Sequence, residues 1–152
     1  MSAITVLDGE AEIRAAVGNG LGTTDWYDIT AAKIDSFVAA TGDRDGTYFA
    51  VSLSNMFLPQ IVEVRGFALG VNYGTQTVTF GAPLRDGDRV RGHATLVDVT
   101  DVNNGLQTLM VIAIERDGAS ADEHCTIESL SRWMNPTDTP RDNPADQPKD
   151  VT

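Results

Sequence analysis

One acid and one phenol, five residues apart, are the pair in this sequence best placed to do chemistry. Asp43 follows Thr41-Gly42, and Gly42 is the natural stop of a helix predicted over residues 31–40. The carboxyl end of a helix disfavours a carboxylate, so an acid there invites a role beyond solvation. Tyr48 is a poor base, with an unperturbed pKa of about 10, but its hydroxyl can donate a hydrogen bond to a carbonyl. Ser52 and Asn55 open the next helix, where each can cap it or face a pocket. The other reactive side chains form no constellation. His93 and His124 are lone strand histidines, read as structural. His124 and Cys125 are neighbours in a strand and point to opposite faces, so they make no nucleophile–base pair and no zinc-ligand spacing. No phosphate loop, metal cluster or nucleotide fingerprint is present, and neither a cofactor nor a metal is expected.

The elements that must position these residues follow from periodicity. A short helix is predicted over Glu10 to Val17, a strand over 24–29, and an N-cap at Thr30. Ile34, Phe37 and Val38 fall at i, i+3 and i+4 and give the 31–40 helix one apolar face. The segment from Phe49 to Val64 is apolar over a broad surface and reads as a buried helix, with Pro59 a kink or a new turn. Beyond Gly66 the period becomes two. Strands are predicted from Val71 to Phe80, from Val90 to about Val99, from Leu106 to Glu115 and from Glu123 to Trp133. Asn103-Asn104-Gly105 is a hairpin signal, because a type I′ turn needs positive φ at both central residues. The periodicity alone supports an α+β fold with an antiparallel sheet.

Residues 135–152 differ in kind. Asp138, Asp142, Asp146 and Asp150 recur every four residues, as do Pro136, Pro140, Pro144 and Pro148. Such a segment has too little apolar surface to fold, so a globular domain over 1–134 and a disordered, solubilising tail over 135–152 are expected. The whole chain has 152 residues and a net charge of −11, from 11 basic and 22 acidic residues. Nucleic acid and anionic membranes are therefore not expected partners. Arg85, Arg89 and Arg91 are the one dense basic run and the candidate patch for a charged substrate, with a solvated strand edge the favoured reading. A single cysteine permits no intrachain disulfide, and no secretory signal or transmembrane run is visible, so a cytoplasmic location is expected.

Several stretches, in order, resemble the single-hotdog hydratases of the MaoC-like family. They are Leu21-Gly22-Thr23-Thr24-Asp25-Trp26, Ile34-Asp35-Ser36-Phe37 with Ala40-Thr41-Gly42-Asp43, Gly70-Val71-Asn72-Tyr73-Gly74, Phe80-Gly81-Ala82-Pro83, and Gly87 through Leu96. The resemblance covers most of residues 20–133. It implies the hotdog fold, an antiparallel sheet wrapped around a central apolar helix. It also implies that Asp43 is the family's catalytic acid, and that Tyr48 stands where the family has a His. The chain runs straight from Tyr48 into Phe49-Ala50-Val51-Ser52, without the family's overhanging loop and its glycines. A divergent member with a wider pocket is the expectation.

The favoured reading is a repurposed enzyme. Asp43 and Tyr48 would act on a bulky polyketide-like or acyl substrate by cyclisation, isomerisation or elimination. Ser52, Asn55, Met56, Asn72 and Tyr73 would touch that substrate, and Tyr73 would hold its hydroxyl near the pocket mouth. A homodimer is expected, with a heteromer containing a second hotdog protein as the alternative. Two other readings stand beside it, a non-catalytic subunit supporting an active hydratase and an acyl thioesterase.

Overall fold

The apolar segment that begins at Thr47 is helical to Ile61, and an antiparallel sheet curls around it. The computed structural model describes residues 3–137. In chain order the elements are β1 (Thr5–Asp8), α1 (Gly9–Ala15), β2 (Gly20–Thr23), β3 (Tyr27–Asp28), α2 (Ala31–Thr41), α3 (Thr47–Ile61), β4 (Val62–Arg65), β5 (Leu69–Thr79), β6 (Arg89–Val102), β7 (Gly105–Arg116), a 3₁₀ turn (Ala121–Glu123) and β8 (Cys125–Met134). The large sheet has the order β2-β6-β7-β8-β5, and β3 continues along β6. From residue 138 on, the predicted tail lies outside the described residues.

Alternation sorts the two faces of this sheet. Val90, Gly92, Ala94 and Leu96 of β6 are buried, as are Leu106, Thr108, Met110, Ile112 and Ile114 of β7. Phe49, Leu53 and Phe57 of α3 pack on this face with Val90, Ile112, Ile114 and Ile127. Ile61, at the far end of α3, joins Ile13, Leu21, Leu96 and Met110 in a second cluster. Burying an aromatic such as Phe57, which is 1 % exposed, contributes about 2–3 kcal/mol. Gly92 makes that burial possible, because a Cβ there would lie 2.8 Å from the Phe57 Cβ. Val102 pairs with Gly105, so the predicted hairpin is present with Asn103 and Asn104 as its turn, but only Asn104 takes positive φ, at 60°, and the turn is therefore not the type I′ expected.

Three expectations need correction. The helix ends at Ile61, not Val64; Val62-Glu63-Val64-Arg65 alternate with period two and form β4, paired in parallel with β1. β1 itself lies in a leader too short and weakly patterned to announce a strand. The strand predicted over 24–29 shrinks to Tyr27–Asp28, because Thr24 turns inward and its hydroxyl oxygen accepts the Gly92 amide at 2.9 Å.

Candidate functional site

The turn between α2 and α3 is built by two glycines and one acid. Thr30 caps α2, its hydroxyl accepting the Lys33 amide at 3.3 Å. Gly42 ends that helix in the left-handed region at φ 75°, with its amide on the Val38 carbonyl at 2.8 Å. Gly46, at φ 65°, opens α3. Between them, Asp43 Oδ2 accepts the backbone amide of Tyr48 at 2.8 Å. The carboxylate therefore caps the amino end of α3, where the helix dipole favours negative charge. This corrects the local argument from sequence, which placed the acid against the unfavourable end of α2. The Tyr48 side chain is 57 % exposed and meets Phe80 edge-on, with ring centroids 5.1 Å apart.

Beside this turn lies an open cleft of about 700 Å³. Its walls come from two segments, Arg44 to Thr47 on one side and Pro83 to Asp86 on the other, with Ile34 between. None of the residues singled out from sequence as substrate contacts lines it, yet Asp43 and Tyr48 directly flank the first segment. Arg44, Gly46 and Thr47 went unread because a short loop carries no periodic signal.

The remaining candidates are scattered. The Ser52 hydroxyl donates to the Phe49 carbonyl at 2.6 Å, in the second turn of α3, and does not cap the helix. Asn55 is exposed on α3, while Met56 is half-buried against the core. Asn72 and Tyr73 stand on β5, seven to eight residues before Phe80 and so about 25 Å along the chain from it at 3.3 Å per residue. Arg132 places its guanidinium 3.5 Å above the Tyr73 ring and donates to Gln107 at 3.0 Å. Gln107 alternates with the core-facing residues of β7, so this stack lies on the sheet face away from α3. The structure thus brings Asp43 and Tyr48 together and leaves Asn72 and Tyr73 elsewhere.

No family model matches the sequence. A 3-hydroxyacyl-thioester dehydratase Z from Mycobacterium tuberculosis is 32 % identical over 144 residues, covering 82 % of this chain and 95 % of the relative. The solved MaoC-like dehydratase from Rhodospirillum rubrum superposes with a TM-score of 0.54 at 15 % identity, over 80 % of this chain and 95 % of that one. The chain belongs to the MaoC-like dehydratase family. Its hotdog fold is shared also with the ChsH1-ChsH2 complex from Mycobacterium tuberculosis, at a TM-score of 0.52 and 17 % identity, over 86 % of this chain and 91 % of that one.

Neither histidine of this MaoC-like chain has Asp43 among its hydrogen-bond or ion-pair partners. His93 projects from the outer face of β6, where its Nδ1 shares a hydrogen bond with the Thr23 hydroxyl at 2.8 Å. Its Nε2 meets the Glu115 carboxylate, which Arg91 also grips through two nitrogens at 2.7 and 3.2 Å. Those Arg91 hydrogen bonds, reinforced by His93, hold the Glu115 carboxyl well below its usual range, at about 2. Arg91 also stacks on Trp26 at 4.4 Å, and Arg89 pairs with Asp28 at 3.5 Å and Asp117 at 3.6 Å. Of the basic run 85–91, only Arg85 reaches the cleft. His124 ends the 3₁₀ turn, its Nε2 buried with no hydrogen-bond partner among the described residues. Cys125 is buried in the core, and burial raises its thiol pKa. Among the described residues no metal-holding group of His, Cys, Asp or Glu occurs, and no helix is long and apolar enough to cross a membrane.

Proposed function

We propose that this MaoC-like chain acts on acyl thioesters, as a hydratase- or dehydratase-related lyase or cyclase that works without an imidazole beside its acid. The observation that carries the reading is the Asp43 carboxylate held on the Tyr48 amide, the two residues bracketing in sequence the wall Arg44–Thr47 of the 700 Å³ cleft. The likeness to a 3-hydroxyacyl-thioester dehydratase supports the substrate class. In an elimination, the Asp43 carboxylate takes the proton from the α-carbon. The β-hydroxyl leaves as water with a proton supplied through the Tyr48 phenol. In a cyclisation the same two groups hydrogen-bond a folded acyl chain, and most of the acceleration comes from holding it in a reactive shape. An open cleft of this size suits a bulky, polyketide-like acyl group.

The test is turnover of 3-hydroxyacyl and enoyl thioesters of increasing bulk, followed by ultraviolet absorbance and by mass spectrometry of the product. Loss of activity in Asp43→Asn and Tyr48→Phe is the expected result. Turnover intact in both variants overturns the assigned roles, and release of free thiol instead of water identifies a thioesterase.

One observation favours a second reading. The edge strand β5 is unpaired along one side among the described residues and exposes Leu69, Val71 and Tyr73. Such an edge suits pairing with another chain. We infer a homodimer; a non-catalytic subunit would instead pair with a different hotdog protein. Light scattering of the purified chain, with a pull-down from its source cells, separates the two. The one cysteine is buried and unpaired, which fits the cytoplasm.

A further inference from the structure

We propose that Thr23, His93 and Glu115 form a second nucleophilic site, on the outer face of the sheet, where the Thr23 hydroxyl attacks the carbonyl of small activated esters. The site does not draw on Asp43 and stands on the face that α3 leaves uncovered.

The observation is an unbroken hydrogen-bond chain from a hydroxyl through an imidazole to a carboxylate. The Thr23 hydroxyl lies 2.8 Å from His93 Nδ1, and His93 Nε2 meets Glu115 Oε2. No local window of sequence shows it, because Thr23 is 70 residues and Glu115 22 residues from His93. The sheet assembles it instead. Thr23 of β2 pairs directly with His93 of β6, and Glu115 of β7 pairs with Arg91, the neighbour of His93 on the same face of β6. His93 alternates with the buried Gly92 and Ala94, which turns its ring outward.

A hydroxyl held by a base, with the base oriented by a third group, is the geometry of an activated nucleophile. Each partner here fixes the next. Arg91 donates to both oxygens of Glu115, at 2.7 and 3.2 Å, and so favours the anion. An ionised carboxylate only accepts, so His93 Nε2 carries the ring proton and Nδ1 is left to accept from the Thr23 hydroxyl. Access is open, because β2 is an edge strand of the large sheet and Thr23 and His93 are both partly exposed. Trp26, stacked 4.4 Å from the Arg91 guanidinium, borders the site with an aromatic surface for an acyl or aryl group.

The chemistry balances with water as the co-substrate. Thr23 Oγ1 bonds to the ester carbon while its proton passes to His93 Nδ1. The bond to the alcohol oxygen then breaks, and that oxygen takes the proton from Nδ1. Water attacks the acyl-threonine with Nδ1 again as base, the acid departs, and the proton returns to Thr23. Ester and water become acid and alcohol. Glu115 touches neither and is a positioning residue.

The experiment is hydrolysis of p-nitrophenyl butyrate by the folded full chain, with mass spectrometry of the quenched protein. A butyryl group on Thr23 is expected. Thr23→Val, which keeps the shape and removes the hydroxyl, and His93→Gln should each cut kcat/KM by roughly 100-fold or more. Thr23→Ser restores a hydroxyl and should keep the activity. Glu115→Gln should lower kcat about tenfold or more and leave KM unchanged, a split that loosened packing does not produce. A parent chain without turnover overturns the proposal, as does turnover intact in Thr23→Val. Butyryl on His93 in place of Thr23 overturns it too, since the imidazole would then act alone. Equal loss in Thr23→Ser and Thr23→Val assigns Thr23 to packing.

Discussion

The Asp43 carboxylate accepts the Tyr48 amide at 2.8 Å, so one side chain fastens the end of α2 to the first turn of α3. The acid therefore has a structural task whatever its chemistry, and variants must separate the two. Asparagine keeps a side-chain oxygen for the amide and removes the charge, whereas alanine removes both. Asp43→Ala is expected to lower stability by about 1 kcal/mol, the usual worth of a cap, and Asp43→Asn by a few tenths. Both should cut turnover by roughly 100-fold or more, the scale of lost general acid–base catalysis. Urea unfolding beside steady-state kinetics checks this. A loss of activity in Ala alone reduces Asp43 to a cap.

Tyr48 divides in the same way. Its backbone holds Asp43 and its ring meets Phe80 at 5.1 Å, while its hydroxyl is free for substrate. Tyr48→Phe keeps the first two contacts. Stability should stay within about 0.5 kcal/mol, and turnover should fall at least tenfold. Tyr48→His puts an imidazole, with a pKa of about 6.5, five residues after the acid. Hydration of short enoyl thioesters is expected to rise in that variant, and an unchanged rate would show that the position does not face substrate.

The parts of this molecule legible in sequence are those with a repeating signal. Val90, Gly92, Ala94 and Leu96 alternate cleanly, and Ile34, Phe37 and Val38 keep a helical spacing, so β6 and α2 could be located from residues alone. The Asn103-Asn104 turn was readable because its backbone demands particular residues. β1 and β4 were not. Each is four residues long, and they stabilise one another only across a separation that no local window spans. At the site, Asp43 and Tyr48 were found by spacing. Of the cleft's basic residues, Arg85 stood out in the sequence as part of the run 85–91, whereas Arg44, alone in a short loop, became visible only in the fold. Asn72 and Tyr73 misled because a family-like stretch fixes a strand but not its distance from the acid.

Glu115 sets the acid stability of the outer sheet face. Its carboxyl titrates at about 2 instead of 4.5, chiefly through the Arg91 hydrogen bonds. A depressed carboxyl stabilises the fold above its unfolded pKa, and that stability is lost as pH falls through the folded value. The contribution is thus complete above about pH 5 and disappears towards pH 2. The side chain is 21 % exposed, so solvent screening trims it to roughly 1–2 kcal/mol. Glu115→Gln should be less stable than the parent by that amount at pH 7 and nearly equal to it at pH 2. Denaturant midpoints across this range measure the gap.

Gly92 and Phe57 make one fitted contact in the core. An alanine methyl at position 92 would lie 2.8 Å from the Phe57 Cβ and 2.9 Å from its ring, with β6 and α3 both held by their neighbours. Gly92→Ala should therefore destabilise by about 1–3 kcal/mol, an overpacking cost, although alanine is the better residue for a strand backbone. Phe57→Leu in the same chain removes the ring but keeps the Cβ at 2.8 Å, so the double variant should recover only a part of the loss relative to the sum of the two. Additive losses would place the strain elsewhere.

The exposed edge of the sheet gives the last test. β5 is nearly all solvent-exposed along eleven residues, with Leu69 at 57 %, Val71 at 40 % and Tyr73 at 54 % exposure. An edge of this length and character is costly to leave in water and prone to pair with another strand. If two copies join there, a charge in the middle of the edge opposes its own counterpart across the junction. Val71→Lys should then yield a monomer by light scattering at micromolar concentration, where the parent chain is a dimer. Activity should fall with it only if the second copy helps to shape the cleft. A dimer that survives Val71→Lys would move the contact to another face, and a parent chain that is monomeric until a second hotdog protein is added would favour the heteromer.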